Sequence, residues 1–201
     1  GILYVTVTKR NYRPSENVIN ILDDYAINMQ WDGDLESNSG QNYTFPTILI
    51  SSIGNENISW ISGELTSSSD LVDITNSATS WIYMAPDEPM ENQEPLIINI
   101  SENAIFGDNL NLILNLTDNH DNTWSVYLPF QVNSPKIDIV EFLFSEDINP
   151  GSTVEAFIQL ENTGNLDGSN ITIELISSSN LINIQNNNIN FGDIEQNTIA
   201  I

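Results

Sequence analysis

The chain contains no cysteine, which excludes disulfides, thiolate metal sites and cysteine nucleophiles together. Basic residues are nearly absent: Lys9, Arg10, Arg13 and Lys136 stand against 28 acidic residues, for a formal charge of −24. Affinity for nucleic acid comes largely from Lys and Arg neutralising phosphates, and attraction to anionic lipid follows the same logic. Neither partner is expected. No apolar run approaches the ~18 residues of a spanning helix, so no membrane insertion is expected either. There is one histidine, His120. Catalysis by a triad or a general base needs a nucleophile and a base within hydrogen-bond reach. Gly-x-Ser-x-Gly elements, paired zinc-binding histidines and phosphate-cradling glycine loops are all missing. Inside Asp118-Asn119-His120-Asp121-Asn122 a lone histidine reads as a solvated turn residue. No catalytic or cofactor-binding residue is assigned, and the chain reads as non-enzymatic.

What is present is strand pattern. In Leu110-Asn111-Leu112-Ile113-Leu114-Asn115-Leu116 the leucines alternate and share one face of a half-buried strand. Trp124, Val126, Leu128 and Phe130 do the same, as do Leu96, Ile98 and Ile100, and Ile171, Ile173 and Leu175. Turn clusters such as Gly107-Asp108-Asn109 and Thr163-Gly164-Asn165 separate them. No segment keeps helical spacing. Short strands with a turn every eight to twelve residues or so predict a two-sheet sandwich.

The chain also repeats itself. Ser67-Ser68-Ser69-Asp70-Leu71-Val72-Asp73-Ile74 recurs as Ser177-Ser178-Ser179-Asn180-Leu181-Ile182-Asn183-Ile184. The offset that carries Ser67 onto Ser177 also carries Gly54-Asn55 onto Gly164-Asn165, Glu64-Leu65 onto Glu174-Leu175, Ile48 onto Ile158, Ile61 onto Ile171 and Trp81 onto Phe191. The predicted organisation is all-β: tandem immunoglobulin-like β-sandwich modules, truncated at both ends. Residues 1–23 are read as closing strands of a preceding β domain, 24–133 as a complete sandwich, and 134–201 as a second sandwich, incomplete at its C-terminal side. In that second module Phe157, Leu160, Ile173 and Leu175 are expected to need an opposing layer, as strands matching those between residues 96 and 132 are missing. The start, Gly1-Ile2-Leu3-Tyr4-Val5, lacks the features of a signal peptide, so an export signal is expected upstream.

The stretch from Asn149-Pro150-Gly151-Ser152-Thr153-Val154-Glu155 through Leu160-Glu161-Asn162-Thr163-Gly164-Asn165 to Ile171-Thr172-Ile173-Glu174-Leu175 resembles bacterial immunoglobulin-like, adhesion-type modules. These recur in tandem in large secreted proteins. The stretch Val5-Thr6-Val7-Thr8-Lys9-Arg10-Asn11-Tyr12-Arg13-Pro14 is similar to the end of the sandwich that follows the catalytic domain in gingipain-type cysteine peptidases. The resemblance implies an extracellular or cell-surface location and carries no catalytic residue onto this chain.

Two binding features merit weighing. Asp32-Gly33-Asp34-Leu35-Glu36 alternates acids in a loop, the arrangement by which Asp32, Asp34 and Glu36 would converge on calcium; an ordinary acidic turn is the competing reading. Among the tryptophans, Trp81 and Trp124 are expected in the core, and Trp31 and Trp60 at the surface, where they could contact a glycan. The function expected is a structural or spacer role in a large secreted or cell-surface prokaryotic protein, with neighbouring domains of the same polypeptide as partners. The accessory region of a gingipain-type peptidase is compatible with this. The alternatives are an adhesin module binding surface glycan or protein, and a surface-filament subunit completed by like subunits.

Overall fold

The computed structural model describes residues 3–10, 13–20, 27–53, 57–86 and 88–201, the first two stretches through their backbone pairing alone. Among the described residues there is no helix, and so none long and apolar enough to cross a membrane. The protein is all-β. It divides into two compact units, one of Gly1–Ala104 with Asp108–Gln131, the other of Ile105–Gly107 with Val132–Ile201.

Unit 1 begins with an antiparallel pair, β1 (Leu3–Arg10) and β2 (Arg13–Asn20), in which Val5 pairs with Val18. There follow β3 (Ile27–Trp31), β4 (Glu36–Asn38), β5 (Asn42–Thr44), β6 (Ile48–Ser52), β7 (Ile58–Ser67), β8 (Val72–Asn76), β9 (Ala78–Met84), β10 (Met90–Glu91), β11 (Ile97–Ile100), β12 (Leu112–Asp118) and β13 (Thr123–Leu128). They assemble as sheets of order β10-β6-β3, β5-β11-β8 and β13-β12-β7-β9. The alternation read from the sequence holds. Leu110, Leu112, Leu114 and Leu116 are fully buried, as are Leu96 and Ile98, while Ile113 and Tyr127 look outward. Trp81, on β9, is fully buried and donates its indole N–H to the Ile48 carbonyl of β6 at 2.9 Å. That bond joins the four-stranded sheet to the three-stranded one and satisfies the only polar atom of the ring. Gly63 on β7 makes room for the indole: a Cβ there would stand 2.9 Å from the Trp81 ring and 3.2 Å from Leu116.

Unit 2 contains β15 (Ile137–Phe144), β16 (Ala156–Asn162), β17 (Gly168–Glu174), β18 (Asn188–Ile194) and β19 (Ile199–Ala200), after the short β14 (Gln131–Asn133) where the units meet in sequence. Its sheets are β15-β16-β19 and β17-β18. The buried core is Ile158, Leu160 and Ile194, with Ile171, Ile173, Ile189 and Phe191 packed partly against it. Asn162 is fully buried at the end of β16. Its Oδ1 accepts from the backbone N–H groups of Lys136 and Gly164, and its Nδ2 donates to the carbonyls of Leu166 and Ile194. All four bonds an asparagine amide can make are made. The neighbouring Gly164 lies so close to the backbone of Ser134, Pro135 and Lys136 that no side chain fits. The Asn-x-Gly sequence is thus the knot of unit 2.

The ladders of the two units match at the offset of the sequence repeat. Ile27 faces Ser52 as Ile137 faces Asn162. Ile58 faces Met84 as Gly168 faces Ile194, and Gly63 faces Thr79 as Ile173 faces Ile189. Met90 faces Ile50 as Ala200 faces Leu160. The match breaks where β15 bulges between Ile139 and Glu141, so that Glu141 meets Gln159 where Trp31 meets Ile48, and again on β17, where Ile171 meets Gly192 while Ile61 meets Trp81. This corrects the expectation for Trp31. The repeat offset carries Trp31 onto the acidic Glu141, which is why a surface place was expected, yet Trp31 is 5% exposed, inward like Ile27 and Met29 on the same strand. A bulge shifts one strand by a residue and turns its later side chains to the other face. Gly54, expected to share a turn with Gly164, lies outside the described residues.

Candidate functional site

The acidic loop follows β3. Gly33 holds φ at 93°, the left-handed region that glycine tolerates. Leu35 is buried while Asp32, Asp34 and Glu36 are exposed around it, so the alternation that suggested calcium also seats a core leucine. Tyr43, on β5, packs edge-on against Phe45 and Phe130 with ring centroids 5.1 and 4.9 Å away. Its hydroxyl donates to the Asp34 carbonyl at 3.4 Å. Burial raises the Tyr43 pKa above its ordinary value, and the negative charges of Glu36 and then Asp34 raise it further. The Glu36 carboxylate accepts from the side-chain amide of Gln131 at 3.2 Å. Among the described residues, no three His, Asp or Glu side chains come together in a way that could hold a metal ion.

His120 sits in the β12–β13 turn. The turn is organised by Asp118, whose side chain is fully buried. Asp118 accepts from the backbone N–H groups of His120 and Asn122 and from the Asn122 side chain, each at 2.8 Å. The imidazole Nδ1 is 3.8 Å from Asp118 and its side chain is 44% exposed. Side-chain oxygens that cap their own turn are a local folding device.

Trp124 and Trp81 are buried, as expected, and Trp60 is 44% exposed on the outer face of β7. Trp60 lies opposite Ile82, also exposed, and the next residue, Tyr83, is exposed with φ at 52°. A positive φ is costly for a bulky side chain. Here it turns two successive large residues outward on β9.

Unit 2 carries the larger anomaly. Beyond Asp138, β15 exposes Ile139, Val140, Phe142, Leu143 and Phe144, with Ile139 at 63%. Phe157, opposite Leu143 on β16, is 50% exposed. The sequence expectation that Leu160 lacks cover is corrected: it is fully buried against Ile158 and Ile194. The exposure of β15 was missed, although Ile137-Asp138-Ile139-Val140-Glu141-Phe142-Leu143-Phe144 does not alternate. Strands apolar on both faces are those that expect cover on both. The inner face of β17 and β18 is open as well. Ile171, Ile173, Leu175, Ile189 and Phe191 are half-buried, whereas Ile61, Leu65, Thr79 and Trp81, counterparts in unit 1 of four of them, are buried.

No protein-family model matches this chain, and no curated protein matches it.

Proposed function

We propose that the chain is a non-catalytic run of immunoglobulin-like sandwich modules serving as a spacer within a large secreted or cell-surface protein, of the kind that accompanies a gingipain-type peptidase. In this reading residues 24–133 and 134–201 are copies of one module. The observation that carries it is the set of ladder pairs that recur at the offset of the sequence repeat. Support also comes from the chemistry: two polar clusters, around Asp118 and Asn162, are bonded within their own units. A chain at −24 repels its copies, which suits a solvated spacer. A binding role for surface glycan or protein is the second reading, favoured by Trp60, Ile82 and Tyr83 on one outer face. One experiment separates the two. The full chain is passed over immobilised glycans and extracellular-matrix proteins, with a Trp60→Ala variant beside it. The spacer reading expects no saturable binding by either; saturable binding abolished by Trp60→Ala overturns it.

A further inference from the structure

We infer that the outer edge of β17 is a strand-accepting site for an extended, uncharged partner segment that carries large aliphatic residues at alternate positions. The inference rests on the reading of two module copies and adds to it what the second copy binds. In unit 1, β7 has two ladder partners, β9 on one side and β12 on the other. In unit 2, β17 holds the place of β7 and β18 that of β9, and among the described residues β17 has β18 as its one ladder partner. The edge that β7 gives to β12 is open on β17.

The occupant's chemistry can be read from β12. There Leu112, Leu114 and Leu116 face Ser67, Leu65 and Gly63. At those places unit 2 has Ser177, Leu175 and Ile173. The burial difference follows this edge: Ile61 and Leu65 are 0% and 1% exposed beside β12, while Ile171 and Leu175 remain half-buried without such a strand. A strand added here gains backbone hydrogen bonds from the edge and specificity from its alternate side chains.

Charge decides against a second copy as the occupant. Glu174 stands at the place of Glu64, which in unit 1 meets the neutral Asn115 of β12. The stretch Leu112-Ile113-Leu114-Asn115-Leu116-Thr117 has no charge at all. An acid directly opposite Glu174 is repelled, and two chains of −24 repel each other as a whole. The occupant therefore carries an amide or a hydroxyl opposite Glu174, with leucine-like residues on either side.

The test uses the full chain and a labelled synthetic peptide with the β12 sequence, residues 111–117, made soluble by terminal lysines. A control peptide has the three leucines replaced by asparagine. Binding is read by anisotropy, and its place by hydrogen exchange over residues 168–175. Saturable binding by the leucine peptide alone is expected, with exchange of the β17 amides slowed about tenfold at a peptide concentration near ten times Kd. Leu175→Asp is expected to abolish it, and Thr172→Lys, on the outer face, to keep it. No saturable binding, or protection confined to residues 61–67, overturns the inference. Protection of residues 168–175 that grows with protein concentration and without peptide overturns it too, in favour of a second copy. The underlying module reading fails separately, if exchange in the free chain lacks matching protected ladder pairs in the two units.

Discussion

Units 1 and 2 share several ladder pairs at the offset of the sequence repeat, interrupted by bulges in unit 2, yet one is closed and the other open. Trp81 is fully buried between two sheets, whereas Phe191, its counterpart in the repeat, is half-buried on a two-stranded sheet. The difference lies in coverage. In unit 1, β12 and β13 extend the sheet beyond β7, and their leucines and Trp124 are buried. Strand pairing alone can place β7 next to β9; it takes the added strands to remove the apolar face from water, and that removal is the main driving force for folding.

The largest effect expected from this comparison is Trp81→Ala against Phe191→Ala. Emptying a fully buried site removes transfer energy and leaves a cavity, about 3–5 kcal/mol for an aromatic. At Phe191 the ring is only partly buried, so a smaller loss is expected. All four tryptophans and all six tyrosines lie in residues 1–131, so fluorescence reports unit 1 alone and exchange of the β17 and β18 amides reports unit 2. Equal losses at the two positions would show that unit 2 is as closed as unit 1.

Asn162→Ala comes next. It strips two acceptor contacts and two donor contacts from buried backbone groups, and each buried group left unsatisfied costs about 1–3 kcal/mol. Partial access to water reduces the sum, and a loss of about 3 kcal/mol confined to unit 2 is expected from denaturant melting followed by exchange. Asn162→Asp separates geometry from chemistry, as it keeps the two accepted bonds and loses the donated pair.

Gly63 sharpens the comparison from the other side. Unit 1 packs Gly63 under Trp81 beside Thr79; unit 2 puts Ile173 in the same ladder place, beside Ile189 and near the smaller Phe191. The volume removed from one side chain reappears in its neighbours. Gly63→Ala forces a methyl to within 2.9 Å of the indole, an overpacking expected to cost about 1–3 kcal/mol. Combining it with Trp81→Phe is expected to recover part of that loss, measured by the same fluorescence melt.

The alternation of Leu110 to Leu116 and of Trp124 to Phe130 was legible in the sequence because a strand with one buried face writes its burial directly into a period of two. The expectation failed at Trp31. A gapless offset assumes that residues keep their face, and the bulge in β15 breaks that assumption without leaving a mark in the chain. The organising roles of Asp118 and Asn162 were legible only as turn chemistry, since which backbone groups they bind depends on how the strands around them are placed. The exposed side of β15 carried a signal, a run without alternation, that pointed to missing cover rather than to a deep core.

The smallest effect concerns Tyr43 and the acidic loop. Burial, then Glu36, then Asp34 hold the phenol neutral above its ordinary pKa of 10.0. A group whose folded pKa is raised contributes stability that is fully present below the unfolded value and is lost as pH rises through the folded one. Between the ordinary tyrosine pKa and the raised Tyr43 value the unfolded chain gives up this proton while the folded chain keeps it, so unit 1 weakens in that window. Tyr43→Phe removes that slope, and the difference in phenolate absorbance between the two proteins isolates Tyr43 from the other five tyrosines. Glu36→Gln is expected to lower the midpoint more than Asp34→Asn, following the order of the two charges. The same titration tests the loop for calcium. An ion held by Asp32, Asp34 and Glu36 would cancel the field that raises Tyr43 and pull its midpoint down. Because the three acids are exposed around a buried Leu35, millimolar calcium is expected to leave the midpoint where magnesium at equal ionic strength leaves it. A drop specific to calcium, lost with Asp34→Asn, would make the loop a cation site and give unit 1 a ligand.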